Sequence, residues 1–173
     1  LKQNIMIRLA ALLHDADDNK FFKNKDTTNF YPNAINILNK CVSIEYKNDI
    51  DLIPTIIKMI ELTSFSLNGN NAFININENK KKYPEWMLYP RLADRLEAIG
   101  SIGIQRCLIY SDYTNRQRYY HNDLIMKPYN YEDILAQKSI DRMNRYINGN
   151  KSTTAISHFY DKILFVGDFE HQT

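Results

Sequence analysis

Apolar residues in this chain recur three and four positions apart along most of its length, and that period commits it to helices. Ile5, Leu9, Leu12 and Leu13 mark one face of a first helix, expected from Lys2 to Leu13, which runs into the polar cluster His14 to Lys20. A second is expected from Pro32 to about Glu45, with proline in its first turn and Ile35, Leu38 and Val42 on one face. A third is expected from Pro54 to about Phe65, stopped by Asn68-Gly69-Asn70. Further helices are expected from Pro90 to about Tyr110, from Tyr131 to Ile147, and after an N-cap at Ser152 or Thr153. The last carries Ile156, Phe159, Tyr160, Ile163 and Leu164 as a core stripe. Residues 68–86 read as a mobile, Asn- and Lys-rich loop in which Ala72 to Ile76 could form a short hairpin arm. Tyr113 to Tyr129 is an aromatic and basic connection. The expected class is all-α, in a single domain spanning 1–173.

Composition narrows the functional classes. With 173 residues, 44% of them hydrophobic, one sizeable core can form. A net charge of +2 gives no support to nucleic-acid binding through bulk charge. Nucleic acid is therefore not an expected partner, although Lys80-Lys81-Lys82, Arg116, Arg118 and the tyrosines at 113, 119 and 120 could stack and pair with a single strand. Cys41 and Cys107 lie far apart in apolar contexts, which fits buried free thiols and a cytoplasmic location. No apolar run approaches the ~18 residues that a membrane span needs, so no membrane association is expected. Gly100 and Gly103 each cost a helix about 1 kcal/mol relative to alanine, which points to close packing there.

Chemistry concentrates at two places. Four apolar residues, Ala10 to Leu13, end abruptly in His14, Asp15, Asp17 and Asp18. A solvated helix end would account for the His-Asp pair alone. Three carboxylates at a helix C-terminus, however, oppose its partial negative charge by ~0.3–1 kcal/mol each, and a bound cation would relieve that. One imidazole with carboxylates suits Mn²⁺, Fe²⁺, Co²⁺, Ni²⁺ or Zn²⁺, and hydrated Mg²⁺. The second place is Arg91-Leu92-Ala93-Asp94-Arg95, which by itself reads as a helix-surface ion pair of little energetic worth.

Taken together, Leu12-Leu13-His14-Asp15 and Ala93-Asp94-Arg95-Leu96 resemble the HD superfamily of metal-dependent phosphohydrolases. Three further segments resemble its small stand-alone branch. Asp18, Lys20 and Phe21-Phe22 are similar to the Asp-x-Lys-Phe that follows the pair. Ile102-Gly103-Ile104-Gln105-Arg106 is similar to its Gly-Ile-x-Arg, and Ser157-His158-Phe159-Tyr160-Asp161-Lys162-Ile163-Leu164 to its late Ser-His-Phe-Tyr-x-Lys-Leu-Leu. The likeness covers about residues 5–165.

The resemblance implies an HD-type helical bundle in which His14, Asp15 and Asp94 hold one divalent cation (Mn, Mg, Co, Ni, Fe or Zn). Asp18 would position or deprotonate the attacking water. Lys20, Arg91 and Arg95 would face substrate phosphate or hold carboxylates in place, and His158 would line the site or serve as a structural hydrogen-bonding residue. The implied activity is hydrolysis of a phosphate ester or anhydride, with a nucleotide as the substrate class and a homo-oligomer compatible with it. The family's first metal histidine lies on a helix before the His-Asp pair, whereas no histidine occurs before His14 here. That helix is therefore expected upstream of Leu1, or its histidine is lost. The alternative implied by a loss is a degenerate HD scaffold that binds nucleotides or a partner without catalysis.

Overall fold

The computed structural model describes residues 1–18, 31–42, 46, 49–69, 74–75, 80–81, 83–119 and 128–168. These residues are all-α but for one two-residue antiparallel ladder, β1 (Ile74–Asn75) with β2 (Lys80–Lys81), in which Ile74 faces Lys81. The ladder realises the short hairpin arm expected there. Lys20, Phe21, Phe22, Lys82, Tyr120 and His121 lie outside the described residues. No described helix is long and apolar enough to cross a membrane.

The chain divides into two compact units, residues 1–64 with 73–94 and residues 65–72 with 95–173. The first holds α1 (Lys2–Leu13), α2 (Pro32–Cys41) and α3 (Leu52–Thr63). A 3-10 turn (Glu85–Leu88) follows in this unit and leads into α5 (Tyr89–Ile99). Helix α3 is central: α1, α2 and the 3-10 turn all pack on it. It carries Leu52, Ile56, Met59, Ile60, Leu62 and Thr63 buried on more than one side, as a helix with several packing neighbours must. From α1 the buried residues are Met6 and Ala10, one turn apart, with Ile7, Leu9 and Leu13 packed beside them. Leu12, expected on this face, is 79% exposed. Ala10 is fully buried because its single methyl permits the α1 backbone to approach closely. From α2, Ala34 and Leu38 enter the core.

The second unit begins with α4 (Phe65–Asn68), a single turn closed by Gly69 at φ +52°. The Gly69 N–H donates to the Phe65 carbonyl at 2.7 Å, the left-handed closure that glycine makes without strain. After the last turn of α5 come α6 (Ser101–Tyr113), α7 (Tyr131–Ala136) and α8 (Ile140–Ile147). The helix expected from Pro90 to Tyr110 is thus two, broken at Gly100, whose extended backbone starts α6. The helix expected from Tyr131 to Ile147 is also two, broken at Gln137-Lys138-Ser139. A Cβ on Gly103 would stand 2.1 Å from the Ala98 carbonyl oxygen, so the α5–α6 turn closes only over a glycine.

The last helix is α9 (Ala155–His158), a π-turn (Phe159–Ile163) and α10 (Leu164–Val166) in succession. Its N-cap is Thr154, one residue beyond those expected, with Oγ1 accepting from the Ser157 N–H at 3.0 Å. The π-turn widens one turn and shifts the buried face. Tyr160 remains in the core, but the residues buried after it are Phe165 and Val166, not Ile163 and Leu164. Phe165, Val166 and Phe65 make this unit's core, with Ala98, Ile99, Met143, Tyr146 and Ile147 around them.

Candidate metal centre

Helix α1 ends where its last turn meets a change of function. The His14 ring folds back so that Nδ1 lies 2.8 Å from the Ala11 carbonyl. A carbonyl only accepts, so Nδ1 carries the hydrogen, and Nε2 is left to face outward with its lone pair or a second proton. Nε2 stands 3.4 Å from Asp15 Oδ2 and 3.6 Å from Asp94 Oδ1. Asp15 is next in the chain, whereas Asp94 arrives on α5 eighty residues later. The three residues share the first unit.

Two carboxylates around one imidazole nitrogen favour its cationic form. The His14 pKa is raised to about 9, chiefly by hydrogen bonding to Asp94 and then by the Ala11 carbonyl and the Asp15 charge, against the opposing effect of burial. The place a second proton takes on Nε2 is also the place a divalent cation would take. The donor set, one imidazole and two carboxylates, has the right chemistry for such an ion, and the backbone carbonyl on Nδ1 is the outer-shell partner that metal-binding histidines have. The 3.4 Å separation lies at the upper edge of the ~3.0–3.4 Å expected between donors sharing one ion at bonds near 2.1 Å, and the 3.6 Å separation lies just beyond it. Among the described residues no group of three or more His, Cys, Asp and Glu side chains is already drawn to a metal-binding spacing. The residue types fit a divalent ion in their chemistry, and the two carboxylates would have to draw closer to Nε2 to share one.

The neighbouring acids divide their roles. Asp17 turns away to α2: Oδ1 accepts from the Asn33 N–H and Oδ2 from the Ala34 N–H, both at 2.9 Å. Asn33 Nδ2 returns a bond to the Ala16 carbonyl at 3.0 Å. Asp17 thereby caps the positive end of α2, so its charge needs no cation to neutralise it. Sequence reading missed this role because the partner N–H groups lie 16 and 17 residues away. Burial, with the charges of Glu61 and Asp17, pushes the Tyr31 hydroxyl up to about 12, so the phenol stays neutral beside this cap. Asp18 is half-buried in the same turn, its N–H donating to the Asp15 carbonyl at 3.1 Å.

Over 180 aligned residues the chain is 36% identical to an uncharacterized protein of Acanthamoeba polyphaga mimivirus, covering 98% of this chain and 67% of the viral protein. The chain belongs to that protein's family. No protein-family model matches the chain, and no solved structure matches it.

Among the described residues, the other expected site residues each have partners of their own. Arg91 is fully buried, with Nη1 donating to the Leu62 carbonyl at 2.9 Å, near the C-terminus of α3. Burial lowers its pKa to about 10, which still leaves it charged at neutral pH. Arg95 is 1% exposed; Nη2 donates to the Gly69 carbonyl at 2.7 Å, and its guanidinium lies over the Phe65 ring. Both arginines satisfy carbonyls at helix ends, where cations are favoured. His158 sits in the second unit, its Nδ1 3.3 Å from Ser152 Oγ and its ring edge-on to Tyr146. The Lys20 expectation lies outside the described residues.

Proposed function

We propose that this chain is a metal-dependent phosphohydrolase of HD type, acting on a phosphate ester or anhydride of a nucleotide. The observation that carries the reading is the meeting of Asp94 with His14 and Asp15, across eighty residues of sequence. The motif resemblance singles out the same three residues. A divalent cation held there supplies Lewis acidity, lowering the pKa of a water and polarising a phosphoryl oxygen. The Ala11 carbonyl keeps Nδ1 protonated, so Nε2 is the donor atom. Asp15 and Asp94, far apart in the sequence, contribute negative charge. Asp18, in the turn after the pair, takes the proton from the attacking water.

The experiment measures phosphate and pyrophosphate release from a nucleotide panel with added Mn²⁺. Release that is lost in Asp94→Ala and in His14→Ala supports the reading. No release by the native chain from any nucleotide, or an unchanged rate in Asp94→Ala, overturns it.

A second reading, a nucleotide-binding or interaction module on the same scaffold without catalysis, draws on one observation. The Asp94 carboxylate stands 3.6 Å from His14 Nε2, wider than donors sharing one ion, and among the described residues no group of three metal-ligating side chains stands at a metal-binding spacing. Nucleotide affinity that is indifferent to chelator, without turnover, favours this alternative.

A further inference from the structure

The second unit holds an open pocket of about 250 Å³ lined by Arg142, Arg145, Tyr146, Asn150, Lys151, Thr153, Ser157 and Asp161. Three cations face one carboxylate. That carboxylate is already engaged: Asp161 Oδ1 accepts from Arg142 Nε and Oδ2 from Ser152 Oγ, both at 2.8 Å. Among the described residues the side chains of Arg145 and Lys151 have no hydrogen-bond or ion-pair partner, so the pocket carries two uncommitted positive charges.

Their position is fixed by the loop that follows α8. Gly149, at φ +91°, reverses the chain, and its N–H donates to the Tyr146 carbonyl. The backbone N–H of Asn150 donates to the Arg145 carbonyl at 3.0 Å, and its Nδ2 donates to the same oxygen at 3.1 Å. Lys151 is thus brought back beside Arg145 by three hydrogen bonds. The floor is held as firmly, with Thr154 fully buried and Ser157 4% exposed in a shared hydroxyl network. The hydroxyls of Thr153 and Ser157 stand 3.2 Å apart at the edge of this network.

We propose that this pocket binds a phosphate group, held by the Arg145 guanidinium and the Lys151 ammonium. The opening suits one or two phosphoryl groups and is too small to enclose a whole nucleotide, so the rest of a phosphorylated ligand would remain outside. Convergent cations are the chemistry that recognises phosphate. The proposal does not depend on the reading of His14.

The test titrates the full chain with inorganic phosphate, pyrophosphate and AMP in the presence of a chelator, by calorimetry and amide NMR. Saturable binding with shifts at Lys151, Thr153 and Ser157 is expected, weakening with salt. Arg145→Ala and Lys151→Ala should each weaken it about tenfold, as loss of a charge-assisted bond does. Arg145→Lys should retain most of the affinity, and Asp94→Ala should leave it unchanged. AMP binding tighter than phosphate identifies a phosphorylated molecule as the ligand, and equal binding identifies the free anion. No saturable binding of any of the three probes overturns the proposal. So does binding unaltered in the Arg145→Ala, Lys151→Ala double variant, or binding only to an oligonucleotide.

Discussion

At the scale of single residues, His14 is the most informative side chain, because its two nitrogens are committed differently. Nδ1 is tied to the Ala11 carbonyl, while Nε2 faces Asp15 and Asp94. In the metal-free protein its pKa should be found near 9 rather than 6.5 by NMR titration of the ring protons. The sign for stability follows. A folded-state pKa above the unfolded value means that the folded protein holds the proton more tightly. His14 therefore contributes its full share of stability below about pH 6.5 and loses it as the pH rises through about 9. Denaturant midpoints of metal-free protein should fall over that window, and the fall should be absent in His14→Gln. A His14 titration at its ordinary value would show that the carboxylates do not face Nε2 as described. His14, Asp15 and Asp94 were legible as chemistry because their types are unusual where they stand. The fate of Arg91 and Arg95 was not legible. Charged residues on a helix ordinarily face water, and nothing in the local sequence marks the Leu62 and Gly69 carbonyls that draw these two inward.

At the scale of elements, two junctions decide how the helices meet. The first is Asp17 at the start of α2, a side chain from one loop satisfying the N-terminal amides of the next helix. Asp17→Ala should cost about 1–2 kcal/mol, the usual cost of losing a capping side chain, read as a lower urea midpoint at unchanged slope. Asp17→Asn, with one acceptor oxygen, should fall between. The second junction is the α5–α6 turn. In an ordinary helix Gly→Ala stabilises by about 1 kcal/mol. At Gly103 the added carbon would stand 2.1 Å from the Ala98 carbonyl, so Gly103→Ala should reverse that sign and destabilise by about 1–3 kcal/mol or more. At Gly100 the nearest atom is the Leu96 carbonyl oxygen at 3.9 Å, and Gly100→Ala should be close to neutral. Comparing the two thermal midpoints checks the pair. Apolar periodicity made the helices legible, but not their breaks. A helix pattern continues in phase across the bend at Gly100, and the phase slip of the π-turn at Phe159–Ile163 has no compositional mark.

At the scale of the whole molecule, the question is what joins the end of α1 to α5 in the first unit. Helix α3 does so through the core, because Met6 and Ala10 of α1 and Leu88 before α5 pack in one cluster with Ile56, Met59 and Ile60. His14 and Asp94 are then brought to adjacent positions by apolar packing rather than by their own attraction. A partly exposed pair of this kind contributes little stability by itself. Metal binding to such a site should act as a ligand that favours the folded chain. At a hundredfold excess over the dissociation constant the stabilisation is about 2.7 kcal/mol, worth roughly 5–11 °C in thermal midpoint for a chain of this size. Titration of the full chain with Mn²⁺ should therefore raise the midpoint until the site is full, releasing protons as Nε2 exchanges one for the ion. Asp94→Ala should remove the rise and, because it takes away the main partner of the His14 proton, should also lower the metal-free midpoint modestly at neutral pH. If instead Asp94→Ala collapses the metal-free protein, the carboxylate belongs to the scaffold. If Mn²⁺ raises both midpoints equally, the ion binds somewhere other than His14.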